Sequence, residues 1–424
     1  MKFYRLCVSV FVYACLFFYS AFSLYSLSPD ARMFFLRLQM MNETENCPLA
    51  VRSYVYNLPK NERIAQLFLV RIPGNEEFSS ATDYNDGVPP GGFIFFKANL
   101  QDEEDKIIHF TDSVKFYYDD KNKLKPYLAL DHEGGNVNRL RSIATNFPSQ
   151  NYVAQNFSKC EALLLYENQA QLLKRLGFNV NLAPVAEVLT EKNQDFLETR
   201  SFGSLEQTAN YASLCSDAYI SKDVISVLKH FPGNTNDDPH YGLPNLAINE
   251  EDFVEFATPF SEVLSNSKFS KDESSVPFGI LISHAIVGEI SDYQSACFSK
   301  RIVTEELREK MKFSGIVFSD DVYMAALQKI APPEVSCEKA ILAGVDVIMM
   351  TGMKFLPIST YLQKKSDENP DLDNRITESC CRIVDAKRKM GFAKIEKKQN
   401  DFSSFFESFG YPPMYDYDLV LLKN

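Results

Sequence analysis

The sequence predicts an α/β protein folded as a single-domain (β/α)8 TIM barrel, and three observations predict it. From Asn61 onward, short apolar runs rich in β-branched and aromatic residues alternate with longer amphipathic stretches, the pattern of repeated βα units around a parallel sheet. Eight such runs can be counted, the number needed to close a barrel. No run is followed by the Gly-rich dinucleotide or phosphate-loop fingerprint that a doubly wound open sheet would carry.

The eight strands are expected at 67–72, 92–96, 126–131, 179–185, 225–230, 279–284, 315–320 and 345–350. Helices are expected between them at 102–118, 160–176, 205–222, 250–265, 304–312 and 334–343, with a closing helix within 352–395. The barrel domain is therefore set at 61–395, preceded by a lead-in segment at 26–60 and followed by a polar and aromatic C-terminal tail at 396–424. At the N-terminus, Lys2 and Arg5 precede an almost unbroken apolar run over 6–25, with Ala21 and Ser23 as small residues at a cleavage point. Residues 1–25 read as a signal peptide or membrane anchor, so an exported protein is expected: periplasmic, extracellular or tethered through residues 6–25.

Composition narrows the partners. The 424 residues carry 44 Lys+Arg against 56 Asp+Glu, a formal charge of -12 that opposes a nucleic-acid backbone, so no nucleic-acid partner is expected. Nine Cys are scattered without a C-x-x-C pair or a His at ligand spacing, which points to buried thiols and to no metal site or disulfide framework.

In a barrel the site forms at the C-terminal ends of the strands, so polar residues ending an apolar run are the informative ones. The third strand ends in Asp131-His132-Glu133-Gly134-Gly135, the fifth in Lys229-His230-Phe231-Pro232-Gly233, the sixth in Ser283-His284 and the seventh in Ser319-Asp320-Asp321. Four of the five His (132, 230, 240 and 284) fall at these ends or in the loop after the fifth strand. Singly, a strand-end Asp often caps the next helix and a strand-end His is often structural. Converging on one barrel face, they form a candidate catalytic pocket.

The segment from Asp131 to Leu140 resembles the D-Q-E-G-G-R-V-x-R-L segment of the β-N-acetylhexosaminidases of glycoside hydrolase family three. Asn179-Val-Asn-Leu-Ala-Pro-Val185, Arg200-Ser-Phe-Gly203, Lys229-His-Phe-Pro-Gly233, Phe318-Ser-Asp-Asp321 with Met324, and Ala343-Gly-Val-Asp-Val-Ile348 resemble further family segments in the same order. The resemblance covers 61–392 and implies a single catalytic domain that is a retaining exo-β-N-acetylglucosaminidase needing no cofactor. Its substrate would be terminal β-linked N-acetylglucosamine on cell-wall muropeptides or chitin-like oligosaccharides.

Retaining hydrolysis needs a carboxylate nucleophile and a proton donor ~5 to 5.5 Å apart. The resemblance makes Asp320 the nucleophile, with Asp321 as the alternative carboxylate one residue further into the loop. It makes His240, paired with Asp238, the acid/base, since a neighbouring carboxylate favours imidazolium and fixes its tautomer. Asp131, Arg139, Arg200, Lys229 and His230 become the groups that bind sugar hydroxyls, although the cations could also pair with carboxylates such as Glu133. The chain departs from the family at His132 and Asn136, and its loop from Pro232 to His240 is two residues shorter, lacks the first His and has Pro239 for Ser. Two other readings remain open: a phosphorylase, because a His acid/base tolerates an anionic acceptor, and a barrel that binds glycans without cleaving them. A substrate-assisted mechanism through the acetamido group is a further chemical possibility. The oligomeric state is left open.

Overall fold

The computed structural model describes residues 47–78, 87–144, 147–237, 242–246, 249–352, 354–399 and 415–423. The expected leader at 1–25, with its tether at 6–25, lies outside them. Among the described residues no helix is long and apolar enough to cross a membrane. Contacts divide the chain after Leu49, so α1 (Leu49–Asn57), the first helix among the described residues and a part of the expected lead-in, falls almost entirely in the same compact unit as the barrel.

The chain continues through α2 (Lys60–Gln66), β1 (Phe68–Arg71), β2 (Gly92–Phe95), α3 (Glu104–Asp120) and β3 (Tyr127–Leu130), then a small hairpin of β4 (His132–Gly134) and β5 (Val137–Asn138). Next come α4 (Gln150–Asn156), α5 (Lys159–Arg175), β6 (Val180–Asn181), α6 (Gln194–Leu197), α7 (Leu205–Ile220), β7 (Ile225–Phe231), α8 (Glu250–Asn266) and β8 (Gly279–Ile282). After a π-helical turn at Arg301–Lys310 follow β9 (Ile316–Ser319), α9 (Ala325–Gln328), α10 (Pro333–Ala343), β10 (Ile348–Met350), α11 (Phe355–Glu368) and α12 (Pro370–Lys389). The eight-stranded sheet runs β10-β1-β2-β3-β6-β7-β8-β9. Its paired neighbours are parallel. A bridge between Phe318 and Val347 joins the two ends, with Ser319 N donating to Val347 O at 2.9 Å and Val347 N to Val317 O at 2.9 Å. The expected barrel is closed.

The strands read as continuous apolar runs because both faces are covered: β2, β3, β7, β8 and β9 are buried at every residue. Ser158 and Ser204 start α5 and α7 with capping boxes to Glu161 and Gln207, which satisfy first-turn amides.

The fourth barrel strand, expected at 179–185, shortens to β6. Pro184 has no N–H for the ladder, and Val185 rejoins it only through a bridge to Lys229. The Asn side chains of the N-x-N segment substitute for ladder bonds. Asn179 accepts from Leu128 N (2.8 Å) and donates to Pro126 O (3.1 Å), while Asn181 accepts from His132 N (3.0 Å) and donates to His132 O (3.0 Å).

The lower end of the barrel is locked by buried charge. Asp346, fully buried ahead of β10, accepts from Val317 N (3.0 Å) and from Arg308, Arg382 (3.0 Å) and Ser379 (2.9 Å), tying β9, the π-helical turn and α12 to one carboxylate. The expected tail contains structure as well. β11 (Ala393–Gln399) pairs antiparallel with β12 (Tyr415–Leu421), so the last barrel residues and the tail share one hairpin. Cys215, Cys297, Cys337, Cys380 and Cys381 are buried thiols, whereas Cys160, in the first turn of α5, is exposed and Cys47 is half-buried, so the expectation of buried thiols holds for five of the seven described cysteines.

Candidate active site

The upper face is built from strand ends. Beyond β3, Asp131 enters the β4–β5 hairpin, whose turn explains the paired glycines. Gly134 has φ +96° and Gly135 φ +55°, and a Cβ on Gly134 would lie 2.3 Å from the Pro148 carbonyl oxygen. The hairpin aims Asp131 and Glu133 at the same cation. Lys229 Nζ lies 2.7 Å from Asp131 Oδ1 and 2.6 Å from Glu133 Oε1, with its side chain only 3% exposed.

Arg200 grips the other side of Glu133 with two parallel bonds, Nε to Oε2 at 2.9 Å and an Nη2 to Oε1 at 3.0 Å. Arg139 reaches Asp131 Oδ2 at 3.6 Å and lies over the Phe96 ring. The order Arg139–Asp131–Lys229–Glu133–Arg200 forms one chain of alternating charge. Burial opposes ionisation of Glu133, but Lys229 and Arg200 outweigh it and hold the carboxyl well below the usual range. Burial likewise opposes the Lys229 charge, and Asp131 and Glu133 reverse it so that the ammonium titrates above its ordinary value.

His230 is oriented by Glu187. The carboxylate takes His230 Nδ1 at 2.6 Å, the His230 amide at 3.2 Å and the Asn234 amide at 2.7 Å, fixing both the ring and the start of the following loop. That loop continues to Asn236, which donates to Glu191 O (3.1 Å) and accepts from Asp195 N (2.8 Å). Asp238 and His240 lie outside the described residues.

Asp320 follows β9 and lies half-buried near His284, His230 and Lys229. Burial alone would raise its pKa, but His284, His230, the Asp321 amide, which donates to Oδ1 at 2.8 Å, and Lys229 bring it below the ordinary carboxylate value. Asp321 is occupied elsewhere: it accepts from Tyr323 N (3.0 Å), Thr351 N (3.0 Å) and the Thr351 hydroxyl, and burial raises its pKa. Of the two adjacent carboxylates, one is a turn-former tied to three donors. The other is ionised among cations.

The structure thus brings Asp131, Arg139, Arg200, Lys229, His230 and Asp320 to one end of the barrel. Sequence reading missed Glu187, which sits two residues past the expected end of the fourth strand and is shielded from notice by Ala186. It also left His132 unassigned. The ring is buried with neither nitrogen bonded, and burial, helped by Arg139, pushes its pKa down to about 3, so it packs as a neutral ring edge-on to Phe147.

A family model described as the N-terminal domain of glycosyl hydrolase family 3 matches residues 60–385. A β-hexosaminidase A from Pseudoalteromonas piscicida is 28% identical over 276 residues, which are 61% of this chain and 45% of that protein. A β-hexosaminidase from Pseudomonas aeruginosa is 30% identical over 271 residues, 61% of this chain and 74% of that protein. The chain therefore spans less than half of the first relative and about three quarters of the second. The solved structure of a glycoside hydrolase family 3 β-N-acetylglucosaminidase from a Paenibacillus species superposes with a TM-score of 0.70 at 21% identity, covering 79% of this chain and 63% of that one. At that identity the likeness carries the barrel fold alone.

Proposed function

The chain belongs to glycosyl hydrolase family 3, and on that premise we propose that it is a retaining exo-β-N-acetylglucosaminidase acting on terminal β-linked N-acetylglucosamine of cell-wall muropeptides or chitin-like oligosaccharides. The observation that carries this reading is the state of Asp320. It is a half-buried carboxylate whose pKa is brought below the ordinary value by His284, His230, the Asp321 amide and Lys229, at the C-terminal end of β9 on the barrel face where Asp131 and its cation partners gather. A nucleophile must be anionic when the substrate arrives.

In the first step Asp320 attacks the anomeric carbon while His240, supported by Asp238, gives a proton to the departing glycosidic oxygen. In the second step His240 takes a proton from water, the water oxygen bonds to the anomeric carbon, and Asp320 leaves as carboxylate. Asp131 would accept hydrogen bonds from sugar hydroxyls, and Arg139, Arg200, Lys229 and His230 would donate them. A bound sugar lacking a matching hydroxyl would cut these groups off from water and leave them short of a partner, which is the source of discrimination. Lys2 and Arg5 ahead of the apolar run at 6–25 support an exported or tethered enzyme.

The test is release of nitrophenol from 4-nitrophenyl N-acetyl-β-D-glucosaminide beside the corresponding glucoside, with and without phosphate, using Asp320→Ala and His240→Ala as controls. Turnover of the N-acetyl substrate that vanishes in the first variant and falls in the second is expected. A 2-fluoro sugar should label Asp320, which sets the covalent route apart from acetamido participation. Strict dependence on phosphate would make the enzyme a phosphorylase. A folded wild type that binds N-acetylglucosamine and never turns it over would leave a glycan-binding barrel.

A further inference from the structure

His284 lies two residues beyond β8 and is 1% exposed. Its Nε2 is 3.0 Å from the Asp321 carbonyl oxygen, and its Nδ1 is 3.3 Å from the sulfur of Cys297, itself wholly buried. The Cys297 sulfur in turn lies 3.3 Å from the Ser295 hydroxyl. This segment is fixed against the strand end, with Ala296 N donating to Ala285 O at 2.8 Å and Ser295 bridging Ile286.

A carbonyl oxygen only accepts, so Nε2 carries a proton in every state of the ring; either atom can donate between the Cys297 sulfur and the Ser295 hydroxyl, and a thiol that donates to Ser295 leaves its sulfur free to accept from a protonated Nδ1. The same carbonyl accepts from Met324 N at 3.0 Å, so His284 and the backbone together clamp the turn whose first amide, Asp321 N, holds Asp320 Oδ1. We propose that His284, oriented by Cys297, is a positioning residue for the nucleophile: it fixes the Asp320–Asp321 turn and supplies positive charge that keeps Asp320 ionised.

This rests on Asp320 being the nucleophile. The charge has a second consequence. A cation beside Asp320 weakens it somewhat as a nucleophile and improves it as a leaving group, so it favours breakdown of the glycosyl ester in the second step. Burial opposes an imidazolium at this place, yet the Cys297 sulfur, Asp320 and the Asp321 carbonyl outweigh it and push His284 up to about 9. The other ionisable groups around the pair are Lys229 and His230 at the end of β7, and Cys337 and Glu334 on α10 beyond Asp321.

Two readouts on the full chain test the proposal. The first is NMR titration of the histidine ring carbons, with five His to resolve and the His284 signal assigned by its loss in His284→Gln. A midpoint near 9 is expected, falling by a unit or more in Cys297→Ala and in Asp320→Asn. Should His284→Gln fail to fold, the signal that moves in both other variants identifies the residue. A midpoint in the ordinary histidine range that neither variant moves would overturn the proposal.

The second readout is the acidic limb of kcat/KM on the nitrophenyl substrate. In His284→Gln it should move to higher pH by about one unit or more, with kcat reduced and KM within about twofold; a limb that stays in place in a folded variant would overturn the role. Should the wild type not hydrolyse that substrate, the substrate assignment falls, and the titration still decides whether His284 holds its charge against Asp320.

Discussion

Lys387 allows a charge buried at the lower end of the barrel to be measured directly. Its Nζ donates to Gln66 Oε1 at 2.8 Å and to Gly91 O at 2.7 Å, and lies 4.7 Å from the centre of the Tyr127 ring; all three partners are neutral in the folded protein. Burial pushes its pKa down to about 7 from an ordinary value of 10.5, against a smaller opposing influence of Cys380. The folded lysine therefore releases its proton near neutrality and the unfolded one near 10.5. Within that window the unfolded chain binds the extra proton, so stability rises with pH, and the penalty of burying the charge is fully present only below the folded pKa. At ~1.4 kcal/mol per unit, the whole window is worth about 4 to 5 kcal/mol.

The perturbation is Lys387→Met, compared with wild type by urea unfolding at pH 7, 8 and 9 at constant ionic strength. The variant leaves Gln66 Oε1 and Gly91 O without a donor, a cost of about 1–3 kcal/mol each that does not change with pH. The slope isolates the titration. Relative to the variant, wild type should gain ~1.0 kcal/mol between pH 7 and 8 and ~1.3 kcal/mol between pH 8 and 9. A difference that is flat to within about 0.3 kcal/mol would refute the assignment of a neutral buried lysine.

Glu133→Gln removes the carboxylate shared by the buried Lys229 and the half-buried Arg200 and leaves both cations short of a partner; kcat/KM on the N-acetyl nitrophenyl substrate should fall by about 100-fold or more, which steady-state kinetics will show. Asp346→Asn strips the counter-charge from Arg308, Arg375 and Arg382. A loss of about 3–5 kcal/mol, spread over an unfolding entropy of ~2.1 cal/mol/K per residue, should lower Tm by about 4 to 6 °C in calorimetry, with activity at 25 °C kept within about twofold. Gly134→Ala places a Cβ against the Pro148 carbonyl at positive φ, so it should raise KM several-fold through the displaced hairpin and move Tm less than the Asp346 variant does.

The barrel was legible because each βα unit carries its own local signal: an apolar run for a strand covered on both faces, then a capped amphipathic stretch. All eight expected strands are found, and their ends lead to Asp131, Lys229, His230 and Asp320. What escaped is held by partners distant in sequence. Lys387 lies in an amphipathic helix and would pass for a surface residue, yet its acceptor Gln66 is 321 positions away. Asp346 sits inside an apolar run and reads as an interruption of a strand. The β4–β5 hairpin is too short to have a period, and only the glycine pair hints at it. Glu187 follows an apolar stretch that continues past the expected strand end, so a search confined to strand ends stops before it.

The two ends of the barrel carry buried charge in different ways, and the difference follows from what each must do. Below, Asp346 faces three arginines, and no change of protonation near neutrality is needed for the lock to hold. Above, Arg139, Lys229 and Arg200 alternate with Asp131 and Glu133, three cations to two carboxylates, and Asp320 is the third carboxylate that balances them. With Asp320 ionised these six side chains balance, and the imidazolium proposed at His284 is set against the Glu187 carboxylate beside His230, so loss of the Asp320 charge leaves one positive charge over. On the proposed assignment of Asp320 as nucleophile, that surplus is relieved when the ester breaks and the carboxylate returns, so the charge pattern of the upper face favours the second step over accumulation of the ester.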